Sequence, residues 1–152
     1  MANTNRTRYG ESLIIPMPVE SATVIEIGDF VGISSNYLIQ MSDLADAGDA
    51  AANRAACKVI FAGIAVSASA NGETDDVLVQ IDGVVMLNQK TAAAIDIGDP
   101  VEIYADADHC EDQTIVEGST SQIAVCVKTH TNATTETLCL LLPSKVFGTP
   151  QG

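Results

Sequence analysis

Two stretches of this chain, Ile25-Glu26-Ile27-Gly28-Asp29-Phe30-Val31-Gly32-Ile33 and Ile95-Asp96-Ile97-Gly98-Asp99-Pro100-Val101-Glu102-Ile103, spell one pattern, I-acidic-I-G-D-x-V-x-I. Each is followed by a second shared pattern. Gly63-Ile64-Ala65-Val66, a polar run and Val77-Leu78-Val79-Gln80-Ile81 follow the first copy; Gln122-Ile123-Ala124-Val125, a polar run and Leu138-Cys139-Leu140-Leu141-Leu142 follow the second. A repeated order of parts fixes architecture before any residue is given a role, because two similar β units must bury their exposed faces against each other. The expectation is one pseudo-symmetric β domain.

Period-two alternation predicts strands over 24–33, 36–41, 57–66, 77–81, 83–87, 100–104, 113–117, 123–128 and 138–142. Gly-Asp, Asn71-Gly72 and Glu117-Gly118 mark the turns. Residues 1–20 read as an extended N-terminal arm, since Pro16 and Pro18 fix φ and remove ladder donors. Residues 21–143 form the β domain and 144–152, rich in Pro and Gly, a loose tail. The first unit exceeds the second at Ser42 to Ala56, an Ala-rich segment that predicts one short helix with Ser42 as N-cap and a weak point at Gly48. A further helical turn is expected at Thr91 to Ala94.

The core must be aliphatic, since aromatics are 4% of residues and Trp is absent. That scarcity argues against stacking platforms for single-stranded nucleic acid or sugars. The net charge of -13, with seven unclustered basic residues, opposes phosphate-backbone binding and anionic membranes. No apolar run reaches spanning length and the first ten residues lack a signal-peptide pattern, so the expectation is a protein made in the cytoplasm. There, Cys57, Cys110, Cys126 and Cys139, which have no metal spacing, are expected to be thiols. Cys126 and Cys139 fall on adjacent predicted strands, and their thiol or disulfide state is open.

The repeated Gly28-Asp29 and Gly98-Asp99 read as structural turns, because one pair in two places is better explained by shared backbone geometry than by two catalytic sites. Asp106, Asp108, Asp112 and Glu117 stand at calcium-loop spacing. Glu111 occupies the place of the turn glycine, however, and Cys110 that of an oxygen ligand, which leaves a weak metal candidate and favours a solvated acidic loop. His109 and His130 have no nucleophile partner, so the residues point to no enzyme and no cofactor. Two acceptor patterns for glycosylation, at Asn5 and Asn132, have no meaning without secretion.

Phe61-Ala62-Gly63-Ile64-Ala65-Val66, Asn71-Gly72-Glu73-Thr74, Val77 through Val85, Ala92 through Val101, Gln122-Ile123-Ala124-Val125 and Leu138 to Leu142 together resemble the tailed-bacteriophage capsid cement, or head-decoration, proteins. The resemblance spans roughly residues 24–142. Gln122 departs from it where the family has Gly, and Ser42 to Ala56 looks like an insertion decorating an outer loop. The resemblance implies a small β-barrel or β-tulip of two pseudo-repeated units, about 24–87 and 95–142. It also implies a homotrimer on the outer surface of the virion capsid, clamping neighbouring major capsid protein subunits. Leu13, Ile14, Ile15, Pro16, Met17, Pro18 and Val19 are then the segment expected to contact a capsid strand or a neighbouring subunit by edge addition, with an edge strand on its own domain as the alternative. A soluble ligand- or carbohydrate-binding β module is the rival reading.

Overall fold

The computed structural model describes residues 6–9, 12–129 and 135–143, the first of these as backbone only. It holds two sheets. β2 (Ile14–Met17), β6 (Val77–Gln80), β5 (Phe61–Ala65), β3 (Phe30–Ser34) and β4 (Tyr37–Gln40) lie side by side in that order. β7 (Val84–Gln89), β11 (Glu136–Leu141), β10 (Ala124–Cys126), β8 (Pro100–Ala105) and β9 (Cys110–Glu117) follow the same order in the second sheet, where β1 (Arg6–Tyr9) adds to β7. The duplication is therefore present strand for strand.

Each sheet also closes on itself. A parallel pairing of Asn88 and Gln89 with Thr114 and Ile115 joins β7 to β9. In the first unit Val19 bridges Leu38 in parallel, just beyond β2. Closure covers part of the sheet edges that a flat five-stranded sheet would leave. Both units are small barrels, in keeping with the mainly β expectation.

The hydrogen bonds repeat as well. Gly28 and Gly98, at φ 96 and 93, donate to the carbonyls of Ala65 and Cys126 at 2.7 and 2.8 Å. Ala65 and Cys126 in turn donate to the carbonyls of Asp29 and Asp99 at 2.9 and 2.8 Å. The Asp29 and Asp99 side chains accept from the backbone of Glu26 and Asp96. Ile81 donates to Leu13 and Leu141 to Gly83. These pairs make the units longer than the motifs suggest, 13–81 and 83–141, with β2 and β7 as mates. They also set Gly63 against Ala124, two places from the Gln122 that sequence matching pairs with it. A shift of two preserves the in-out alternation of a strand, so the pattern is blind to it.

Ile15, Met17, Val31, Ile33, Leu38, Ala65, Val79 and Ile81 pack inside the first barrel. Their mates Val85, Leu87, Val101, Ile103, Ile115, Cys126, Cys139 and Leu141 pack in the second. Where the first barrel holds Val19 and Val77, the second buries Gln89 and Thr137, joined by a 2.5 Å hydrogen bond. A buried polar pair of this kind is tolerated because each group has its partner.

Between β4 and β5 runs α1 (Ala50–Ile60), preceded by a single 3-10 turn at Met41–Asp43. The predicted helix is displaced. Gly48 takes φ 114 and breaks the chain, and Asp49, not Ser42, is the N-cap, accepting from Ala52 N–H at 2.8 Å. Alanine then carries the helix to Ile60, through residues expected as strand. No helical turn forms at 91–94, where the chain bends. Residues 42–56 are also no outer decoration: they form the joint between the barrels. Arg54 pairs with the buried Glu102 of β8 at 3.1 Å, and Cys57 is disulfide-bonded to Cys110 of β9. The expectation of four thiols fails because α1 brings together two side chains far apart in sequence, both buried in the joint. Cys126 and Cys139 face each other in register as free thiols, and burial pushes both above the ordinary thiol range.

Candidate docking surface

Where the barrels meet, Glu26, Asp29, Gln40, Ser42, Lys90 and residues 109–114 line a cleft of about 440 Å³. Several of its polar side chains are held by one another, while the buried Gln113 Oε1 has no hydrogen-bond partner among the described residues. Gln113 Nε2 donates to Asp29 Oδ1 at 2.8 Å, a bond between barrels. Ser42 gives its N–H and Oγ–H to the two oxygens of Asp112 at 2.7 and 2.8 Å. Lys90 pairs with Glu111, which also accepts from Thr114, and Lys90 lies over the Tyr104 ring at 4.8 Å. Ser42 and Gln113 thus tie the first barrel to the second, while Lys90 is held within the second barrel.

Burial pushes Asp29 above the usual carboxylate range, against the lowering by its bond from Gln113, and burial pushes Asp112 up against its two bonds from Ser42. A carboxylate whose folded value is raised favours the folded state below its unfolded value, and that contribution is lost as pH rises through the folded value. Wild-type protein is therefore expected to gain stability relative to Asp112→Asn as pH falls from neutral toward 4. Urea midpoints for both proteins at pH 7, 5.5 and 4.5 check this; a constant difference contradicts it.

The acidic loop is dispersed among other tasks. Asp106 accepts from the backbone of Asp108 and His109, which holds its carboxyl below the ordinary range, and it closes the β8–β9 turn. Asp112 belongs to the joint, and Glu117 ends β9. Among the described residues no three metal-ligating side chains converge, and no helix is long and apolar enough to cross a membrane. His130, Asn132 and residues 144–152 lie outside the described residues.

Of the segment 13–19, Ile14–Met17 is β2, paired antiparallel with β6, and Met17 and Val19 point into the first core. The outer face stays apolar and open: Leu13, Ile14 and Leu78 are 50%, 45% and 42% exposed, with exposed Pro16 among them. Single exposed apolar residues are ordinary, but a group along one sheet edge marks an interaction surface. Ile27 and Ile97, in the repeated turns, are exposed at mated positions, 44% and 67%. The sequence matching missed that 13–19 has a mate. The signal was present, since Ile14-Ile15-x-Met17 and Val84-Val85-x-Leu87 stand at the same spacing as the two Gly-Asp turns.

A family model described as phage cement protein matches residues 10–141. The chain belongs to that family. It is a capsid-associated structural protein of a bacteriophage virion. The matched span takes in both barrels and the joint, from just before β2 to the end of β11. No curated protein and no solved structure matches the chain.

Proposed function

We propose that this cement protein sits on the outer surface of the mature capsid, bridges neighbouring major capsid protein subunits and stabilises the shell against packaged-genome pressure, acting as a homotrimer and without catalysis. The observation that carries the reading is the open apolar edge at Leu13, Ile14, Pro16 and Leu78 on a member of the cement protein family. Binding across a subunit junction adds its free energy to the cost of separating the subunits, and a trimer multiplies that through effective concentration. The net charge of -13 suits an external position, where the protein does not compete for packaged DNA. The segment 13–19 is the contact, through its outer side. The protein would be made in the host cytoplasm and assembled onto heads there.

Heads stripped of the protein are expected to release DNA at a lower temperature than heads to which it has been restored, and light scattering of the free protein should give three times the 15.8 kDa chain mass. Equal release temperatures would remove the stabilising role, and a monomer the trimer.

A further inference from the structure

The two barrels differ at one edge. Leu13 C=O accepts from Ile81 N–H at 3.0 Å, and its mate Gly83 C=O accepts from Leu141 N–H at 3.1 Å. Along an antiparallel ladder a residue sends both backbone groups to one side and the next residue sends both to the other. Ile14 and Pro16 therefore point away from β6, as Val84 and Met86 point away from β11.

In both units the far half of this outward edge takes the ring-closing pair. Pro18 C=O accepts from Leu38 N–H at 2.9 Å, and Asn88 lies opposite Thr114. The near half differs. β1 covers it in the second unit, with Tyr9 opposite Val84 and Arg6 opposite Met86. In the first unit no described residue pairs with the outward side of Ile14 and Pro16. What is open there is one donor, Ile14 N–H, and two acceptors, the carbonyls of Ile14 and Pro16.

The occupied mate shows what fits: a short extended strand running antiparallel. Each chain has two such half-edges and one described strand, Arg6–Tyr9, that covers one of them. If that strand crossed to a neighbouring copy it would open β7 of its own chain, so β1 strands shared among copies leave one half-edge per chain uncovered. Among the described residues no strand is left to cover it, and the occupant argued for is a foreign strand. Its chemistry follows from the surroundings, since Asp82, which accepts from Leu13 N–H, stands beside the open half in a strongly acidic chain and the flanking face is apolar.

We propose that the outward edge of β2 at Ile14 and Pro16 is a strand-docking site that takes an extended segment of the major capsid protein carrying basic and apolar side chains, paired antiparallel as Arg6–Tyr9 pairs on β7. The proposal rests on the capsid-binding reading above and names the backbone groups that make the bond. Main-chain pairing supplies affinity in such additions, and the side chains along the edge supply selection. Pro16 withholds one donor, which weakens pairing between the edges of two free copies.

Residue-resolved hydrogen exchange tests it, on the free protein and on the protein bound to stripped heads, beside Ile14→Pro, which removes the outward donor while leaving the β6 ladder intact. In the free protein the Ile14 amide should exchange at least a hundredfold faster than that of Ile15, and on heads it should slow at least tenfold. Ile14→Pro should bind heads about five- to tenfold more weakly, the worth of one hydrogen bond, with its melting temperature unchanged. Should that variant fold poorly, exchange on the wild-type protein decides alone. Bound protein whose Ile14 amide exchanges as fast as before would overturn the docking edge and leave the capsid reading standing. Slow exchange in the free protein would show the edge already covered by this chain or another copy, and would also overturn it. Wild-type protein that fails to bind heads would remove the capsid reading and the occupant with it.

Discussion

Gly63→Ala should cost the fold about 3–5 kcal/mol, lowering the melting temperature by roughly 10 °C or more. Gly63 sits in β5 at φ 153, and a Cβ there would lie 2.1 Å from the Gln80 carbonyl oxygen and 2.9 Å from Val79 Cγ1. Neither neighbour has room to retreat. Gln80 O is backbone on β6, which β5 and β2 hold from both sides, and Val79 is fully buried. The mated site in the second barrel already carries Ala124 and is the internal control. Ala124→Gly should lose only about 1 kcal/mol, through chain entropy and a lost methyl. Urea denaturation of the two variants measures the contrast. Equal losses would mean that the barrels do not differ at this position as the structure shows.

Phe61→Ala should be comparably damaging, at about 3–5 kcal/mol. Phe61 and Phe30 are both fully buried, with rings meeting edge to face at 6.1 Å and 72°. They belong to the same apolar cluster as Met41, Cys57 and the interior of the second barrel. Removing Phe61 thus empties space at the joint instead of deep in one barrel, where the two units and α1 meet. The double variant Phe30→Ala/Phe61→Ala should lose less than the two single losses together by about 1 kcal/mol, the contribution of the aromatic pair. Melts of all three variants test this. A Phe61→Ala loss below about 1 kcal/mol would show that the barrels do not rely on this contact.

The fold was legible where alternation and repetition carry it. The I-acidic-I-G-D copies announced two units, and the predicted strands at 77–81, 100–104 and 138–142 stand within a residue or two of β6, β8 and β11. What escaped depends on long-range proximity. Nothing local says that Asp112 will take Ser42, or that Cys57 will meet Cys110 across 53 residues. The helix moved for a local reason that a stricter reading could have weighed: Gly48 followed by Asp49 and an alanine run is a better helix start than Ser42 ahead of a glycine. The open edge of β2 is half legible, since the prolines mark residues 1–20 as extended and the resemblance points to 13–19 within them. Its mate at 83–89 was hidden by Met86 and Asn88 standing where the first unit has Pro16 and Pro18. Only paired strands show that one copy of the edge is covered and the other is not.

The most direct test of the central claim is co-sedimentation of the purified protein with heads stripped of it, across a range of protein concentrations. The account predicts saturable binding at a fixed ratio to the major capsid protein, competed by unlabelled protein and not by DNA. Absence of binding, or binding that rises without saturation, would contradict it.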